Sequence, residues 1–336
     1  MATAVIIVSY GRPDDIVDCL RAIDQLQGEN EFAVFIVENG GPAAYESISR
    51  AVFELCGAGV DESAAAVGKA PRSPRHLHCH AFTLPSSGAG VHVAEANENL
   101  GYAGGVNSWL ERLFRDARWD GFWILNPDTT PEPMALAALI DVCAQSNRGM
   151  AGSVILNYRN RDRIATRGLR WRRWRARAVC MDHGRALSDP ILDPLDEIDA
   201  PSGTSIYVTR SCLQTIGLMN EDYFLYFEDL EWGMRAKAAG LLCRADGSFV
   251  PHKYGSTLGS ASRRADRSPL SVYLDARNTL LFIKNNDSGL LAWAIACSLM
   301  KPLEFCAVGS IQNARAALSG IVAGVKGECG KPKWHE

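Results

Sequence analysis

The sequence predicts an α/β protein: a mostly parallel sheet with helices on both faces, followed by a helical C-terminal segment. Two observations carry this expectation. Short β-branched runs alternate with helix-period stripes as far as Leu156. The chain beyond Asn286 then turns apolar and helical, with no internal repeat.

Taken in order, Ala4 to Val8 reads as a buried strand broken at Gly11. Pro13, Asp14 and Asp15 open a helix, because proline suits its first position and acids suit its dipole. Ile16, Leu20, Ile23 and Leu26 form its core stripe. Phe32 to Val37 is the second strand. Between Tyr45 and Gly90 the pattern loosens, and residues 57–90, rich in Ala, Gly, Ser and Pro, read as a long surface insertion. Its His76-Leu77-His78-Cys79-His80 run reads as solvated loop rather than metal site, since adjacent ligands on an extended loop diverge.

A strand near Val91 to Ala94 and a helix carrying Val106, Leu110, Leu113 and Phe114 follow. Next come a strand from Gly121 to Leu125, a helix near Glu132 to Gln145 and a strand near Met150 to Leu156. Arg159 to Arg177 is arginine-dense with Trp171 and Trp174 interleaved. It reads either as a solvated hairpin or as a patch for a phosphorylated or membrane-borne acceptor. Leu290 to Met300 is apolar but is interrupted by Lys301-Pro302, well short of a membrane span. Residues 1–285 therefore read as one α/β domain, interrupted by the 57–90 insertion and the 157–200 hairpin region. Residues 286–336 read as helices for core packing, a membrane surface or an oligomer contact.

Composition narrows the function. Of 336 residues, 47% are hydrophobic and 22% charged, as in ordinary globular proteins, which excludes disordered and fibrous classes. Lys and Arg number 35 against 38 Asp and Glu, and a net charge of −3 argues against a nucleic-acid binder. Ten singly scattered cysteines suit reduced thiols in a cytoplasm. The opening MATAVIIVSYG lacks a basic region, so no cleaved leader is expected.

In open parallel sheets ligands bind beyond the carboxyl ends of strands, and four polar stations fall there. Ser9 and Tyr10 with Glu38 and Asn39 follow the first two strands. Asn97 to Asn107, NENLGYAGGVN, carries Gly101, Gly104 and Gly105 where backbone amides could approach an anion, but its glycine spacing is not that of a dinucleotide fingerprint. Asn126-Pro127-Asp128 offers one carboxylate to a hard divalent cation, or simply a turn. Finally, an aromatic run from Tyr223 to Phe227 delivers Glu228 and Asp229 to a helix start. There the dipole favours ionisation and the aromatic surroundings oppose it, the setting of a general base or of a simple cap.

Together these stations resemble the family 2 glycosyltransferases, inverting enzymes of glycosyltransferase A-type, Rossmann-like fold, and most nearly the rhamnosyltransferase-like branch that builds bacterial surface polysaccharides. The resemblance rests on VIIVSYGRPDD, IVENGG, NENLGYAGGVN, WILNPDTTPEP and GLMNEDYFLYFEDLEWGMRAKAAG, extended by His252, Gly255-Ser256, Tyr273 and Arg277-Asn278. It implies that Ser9, Tyr10, Glu38 and Asn39 line a base and ribose pocket. Glu38 stands where the family more often has Asp. Asn99, Gly101, Asn107 and Asn126 would border the nucleotide-sugar, and Arg277 would contact its diphosphate. Asp128 and His252 would hold Mg²⁺ or Mn²⁺. Asp229 would be the catalytic base, with Glu228 supporting it or meeting the acceptor.

The implied donor is a dTDP- or UDP-linked sugar: dTDP-L-rhamnose first, a UDP-hexose or UDP-galactofuranose behind it. The implied acceptor is a glycan or lipid-linked glycan at the inner membrane face. A nucleotidyltransferase would need an early Gly-rich loop with a Lys, which residues 8–15 lack. A glycosidase would leave the nucleotide stations unexplained. A non-catalytic nucleotide-sugar-binding module remains open, on the strength of the single carboxylate at Asp128.

Overall fold

The protein is described by a computed structural model, over residues 1–62, 73–191, 197–253 and 267–332. Gly255-Ser256 and parts of the 57–90 and 157–200 segments lie outside the described residues. The first half runs β1 (Ala2–Ser9), α1 (Pro13–Ile23), β2 (Glu31–Glu38), α2 (Pro42–Cys56), β3 (Val60–Asp61), β4 (His76–Thr83), β5 (Gly90–Ala96), α3 (Gly101–Leu113), β6 (Gly121–Leu125), α4 (Ala135–Ser146) and β7 (Met150–Asn157). There follow β8 (Asn160–Thr166), β9 (Leu169–Arg172), β10 (Arg177–Cys180), β11 (Ser205–Thr209), α5 (Arg210–Ile216), α6 (Glu228–Ala238) and β12 (Leu242–His252). Four helices close the chain: α7 (Pro269–Asn286), α8 (Leu291–Ser298), α9 (Met300–Ala307) and α10 (Ile311–Lys326).

Among the described residues the main sheet runs β12-β7-β11-β6-β1-β2-β5-β4-β3, with β8 paired to β7. β6, β1, β2 and β5 are mutually parallel, as are β7 and β12, while β11 inserts antiparallel between β6 and β7. The sheet is therefore mixed with a parallel centre. One apolar layer packs α1, α2 and α4 on one face through Ile16, Ile48 and Leu139, and a second packs α3, α5 and α6 on the other through Trp109, Leu213 and Trp232. Helices on both faces bury the central strands twice, which is why β1, β2, β6 and β7 read as continuous apolar runs.

Three sequence expectations are corrected. Tyr45 opens no loose stretch: Tyr45, Ile48 and Val52 form the buried stripe of α2. Residues 76–83 are not solvated loop but an edge-side strand, and a register shift between His76 and Cys79 breaks the alternation that would have revealed it. Its histidines do diverge, to Ser108, Glu95 and Tyr45 respectively. The arginine-dense run is not one hairpin. β8 joins the main sheet, β9 and β10 form a separate ribbon, and Arg167 is buried between Asp182 and Asp246. All ten cysteines are free thiols.

The C-terminal helices pack back through α10 on α7. Contact is so close at Gly320 that a Cβ would lie 2.3 Å from the Tyr273 carbonyl oxygen.

Candidate active site

The parallel strands align Ser9 beside Glu38, and β6, β7 and β12 point the same way, so Asn126 and His252 emerge at the same edge. β11 arrives antiparallel, pairing Ser205 with Leu125. The residues just before it, Ser202-Gly203-Thr204, therefore also lie at this edge. They tie three stations together. The Thr204 carbonyl accepts from Asn126 N at 3.0 Å. Gly203 N donates to Asp229 Oδ2 at 2.8 Å, and Gly203 O accepts from the Tyr102 hydroxyl at 2.6 Å.

Tyr102 reports the convergence independently. Burial raises its phenol well above the ordinary value, and the negative charges of Glu228, Asp229 and Asp128 all push it further. The three carboxylates thus lie near enough to act on one side chain.

At the metal-side station, Asp128 is fully buried and its Oδ1 lies 2.9 Å from His252 Nε2. Thr129 bridges to His252, and Lys253 N donates to Asp128 O at 2.9 Å. Lys253 Nζ clamps Asp15 and Asp18 of α1, each at 2.8 Å, fixing this corner. The Asn126 amide oxygen is buried with no hydrogen-bond partner. A buried amide oxygen without a donor, two residues from a carboxylate paired with an imidazole, offers the oxygen and nitrogen donors a hard divalent cation takes, so these residues fit Mg²⁺ or Mn²⁺.

At the fourth station, Asp229 is partly exposed in the first turn of α6. Its Oδ1 accepts from Leu230 N at 2.8 Å. Burial nevertheless raises its carboxyl above the ordinary aspartate range, opposed by the Gly203 and Leu230 amides. Glu228 is buried, and its Oε2 has no hydrogen-bond partner. Burial first, then the Asp229 charge, raise it well above the glutamate range.

The approach to these carboxylates is strained. Phe224, Tyr226 and Phe227 take φ of 64°, 72° and 78°, which non-glycine residues seldom adopt. Two buried side chains of α7 hold them there. Asn278 Nδ2 lies within 2.8–2.9 Å of the Tyr223, Leu225 and Tyr226 carbonyls. Arg277 donates to the Tyr223 and Gly330 carbonyls, each at 2.9 Å. On the other side, Tyr102 N donates to Phe224 O at 2.7 Å. Gly101 makes that approach possible: its φ is +71°, and a Cβ there would sit 2.3 Å from Phe224 O.

No family model matches the chain. It is 25% identical over 258 residues, 70% of this chain and 81% of the relative, to the N-acetylglucosaminyl-diphospho-decaprenol L-rhamnosyltransferase of Mycobacterium tuberculosis. It is 22% identical over 72% of its length, and 78% of the relative, to a low-salt glycan biosynthesis hexosyltransferase of Haloferax volcanii. Among solved structures, the mannosyltransferase of Pyrobaculum calidifontis with GDP-Man and Mn²⁺ superposes at a TM-score of 0.51 and 12% identity, covering 96% of this chain and 86% of its own. GalNAc-T7 with UDP, GalNAc and Mn²⁺ gives 0.55 and 12% over 84% of this chain, which spans only 48% of that protein. The chain is similar in sequence to these transferases, and its fold is of the glycosyltransferase A type.

Within that fold two expected donor contacts are corrected. Arg277 is fully buried and its guanidinium is engaged by backbone carbonyls, so it anchors the aromatic segment and does not face a diphosphate. Asn107 is likewise buried inside α3. It donates to Met219 O and Glu221 at 2.9 Å and accepts from Met219 N, so it braces the 219–221 turn instead of bordering a sugar. The glycine run is also reassigned, from an anion cradle to packing. Gly101 N donates to Asn99 Oδ1 at 3.0 Å, and a Cβ at Gly105 would lie 2.8 Å from Val8.

The corner after β1 and β2 is self-contained in a different way. Asn39 Nδ2 donates to Gly101 O at 2.8 Å, linking the first two stations. Glu38 is fully buried, and its Oε1 accepts from Gly40 N at 2.6 Å and Gly11 N at 3.0 Å. Burial still raises its carboxyl, with the Ser9 hydroxyl opposing. Ser9 is buried and Tyr10 half-exposed beside it. Sequence reasoning missed Tyr102 and Ser202–Thr204. The tyrosine stood inside a quoted motif, whereas the Gly203 contacts are backbone and carry no residue-type signal.

A cleft of about 560 Å³ lies at the other end of the strands, lined by Asp120, Arg148 and Arg210, away from these carboxylates.

Proposed function

We propose that the protein is an inverting, metal-assisted glycosyltransferase that moves a sugar from a nucleoside-diphosphate donor to a hydroxyl of a growing surface polysaccharide or lipid-linked glycan. The observation that carries this reading is the Ser202–Thr204 crossbrace, which ties Asp229 to the Asp128–His252 corner across Tyr102. A base and a metal-side carboxylate on one compact edge are what a single displacement at a sugar carbon needs. The rhamnosyltransferase named for a decaprenol-linked acceptor favours dTDP-L-rhamnose as donor, with UDP-hexoses or UDP-galactofuranose next.

In this reaction Asp229 takes the acceptor hydroxyl proton as that oxygen bonds to the anomeric carbon and the bond to the leaving diphosphate breaks. One in-line displacement inverts the carbon and leaves the proton on Asp229. Its upward-shifted carboxyl makes it a stronger base than an exposed aspartate, while the Gly203 and Leu230 amides orient it. Glu228, buried next to it, is raised by burial and by the Asp229 charge, so the negative charge of the pair rests on Asp229. Mg²⁺ or Mn²⁺, held by Asp128 and His252 with the Asn126 amide oxygen beside them, would supply positive charge against the leaving phosphates. The nucleoside end falls to the Ser9, Tyr10, Glu38 and Asn39 corner.

The test is a donor screen with added Mn²⁺, reading nucleoside diphosphate release and acceptor glycosylation. Asp229→Asn should bind donor normally and lose turnover by about 1,000-fold or more, whereas Asp128→Ala should lose metal-dependent donor binding. Near-normal turnover in Asp229→Asn removes that residue from the base role. Silence of the parent protein with every donor leaves the binding-module reading standing instead.

A further inference from the structure

We infer that the outer face of α8 and α9, together with the tip of the β9–β10 ribbon, is a docking surface for an anionic phospholipid bilayer. The segment Ser288–Ala307 has a mean hydropathy of 1.4, yet only 22% of that window is buried. It is not a core helix. Ala294, Ser298, Pro302 and Phe305 face inward. Trp293, Leu299, Met300 and Leu303 face out, with exposures of 53%, 47%, 57% and 61%. Exposed apolar surface recurring at helical spacing marks an interaction site.

The charges beside it select the occupant. The ribbon tip lies against α8: Trp293 Nε1 donates to Trp174 O at 2.9 Å, and Arg173 pairs with Asp287. Trp174 is 67% exposed, so two tryptophans stand at the border of the apolar face, the position they favour at a membrane interface. Arg172 and Arg175 flank Trp174, are exposed, and have no carboxylate partner among the described residues. A second copy of the chain would add the same arginines to the rim, whereas anionic lipid supplies their counter-charge. An apolar strip bordered by tryptophan and arginine lies in the headgroup plane rather than crossing it.

The surface also communicates with the site. Trp171 of β9 packs against Phe227 and Phe282, at ring-centroid distances of 6.1 and 4.8 Å, and Phe227 precedes Glu228. Docking would hold the Asp229 edge near a lipid-borne acceptor. That last use alone rests on the proposed transfer reaction, and vesicle binding is measured without donor or acceptor.

The experiment is co-sedimentation of the full chain with vesicles of phosphatidylglycerol and phosphatidylcholine in equal parts, against phosphatidylcholine alone. Binding to the mixed vesicles should exceed binding to phosphatidylcholine by about tenfold or more and weaken with salt. Trp293→Ser/Leu303→Ser should reduce partitioning by about tenfold or more. Arg172→Glu/Arg175→Glu should abolish the anionic preference. All four side chains are exposed, and unchanged melting confirms that the variants fold. Failure of the parent chain to sediment with anionic vesicles overturns the inference, as does unchanged binding by both variants. A dimer that Trp293→Ser/Leu303→Ser dissociates, in a protein that ignores vesicles, assigns the face to a second copy and equally overturns it.

Discussion

Replacing Asn278 with leucine probes how the base is aimed. The substitution keeps the volume and removes the amide that lies within 2.8–2.9 Å of three carbonyls of the 223–226 segment. An amide nitrogen has two protons, so two full hydrogen bonds, or two with one shared, are lost. The Tyr223 carbonyl keeps its Arg277 donor, so the Leu225 and Tyr226 carbonyls are left bare, and at about 1–3 kcal/mol each the direct cost is about 2–6 kcal/mol. Phe224, Tyr226 and Phe227 meanwhile sit at positive φ, each about 1–3 kcal/mol above a relaxed backbone. The mutant can recover part of its loss by letting them relax. Relaxation moves the start of α6, and a displacement near 1 Å at a reacting group costs about 100-fold in rate. Thermal melting and initial-rate release of nucleoside diphosphate should therefore show a moderate drop in stability with kcat down about 100-fold and donor KM changed less than about threefold. Lost stability with kcat retained within about twofold would refute the idea that this anchored segment sets the base's position.

Three further outcomes follow from the same site. Glu228 has a folded-state carboxyl raised above its unfolded value. The folded chain binds that proton more tightly, so the associated stability is present below the ordinary glutamate range and lost as pH rises through the raised value. Glu228→Gln should accordingly melt higher than the parent at pH 8 and no higher near pH 4, and an equal difference at both would contradict the burial argument. Asp229 is also raised, so the acidic limb of the rate profile should lie above the ordinary aspartate range, and rate should fall as pH drops through it. A limb at the free-aspartate value would place the carboxylate in water. Gly101→Ala forces a Cβ to 2.3 Å from Phe224 O at φ +71°. It should lower stability by about 1–3 kcal/mol and kcat with it, and wild-type melting would show that the approach is not needed.

The parallel centre was legible because doubly covered strands are apolar throughout: β6 is Gly121–Leu125 in sequence and in space. Where local patterns conflict, legibility failed. β4 hides behind a bulge between His76 and Cys79, and β11 is five residues between a turn and the start of α5. The carboxylates were readable only as candidates, since an acid pair after an aromatic run suits a cap as well as a base, and the Gly203 amide that holds Asp229 at the strand edge comes from the fold. What each partner does was not readable. Arg277 and Asn278 are polar residues on a helix, and only burial distinguishes a residue that faces phosphate from one that satisfies carbonyls.

That distinction locates where the chemistry is built. Asp229 has its direction fixed by a glycine amide, by strained aromatic backbone, and by two α7 side chains that touch neither donor nor acceptor in the proposed reaction. Gly203 sits so close that a Cβ there would meet Asp229 Oδ2 at 2.9 Å. A substitution at Gly203 and one at Asn278 should therefore fail in the same way, through base position, although they lie on opposite sides of the carboxylate. If their combined effect on kcat equals the larger single effect, both act by aiming Asp229. If the two losses multiply, they act on different steps, and the crossbrace is only a fold contact.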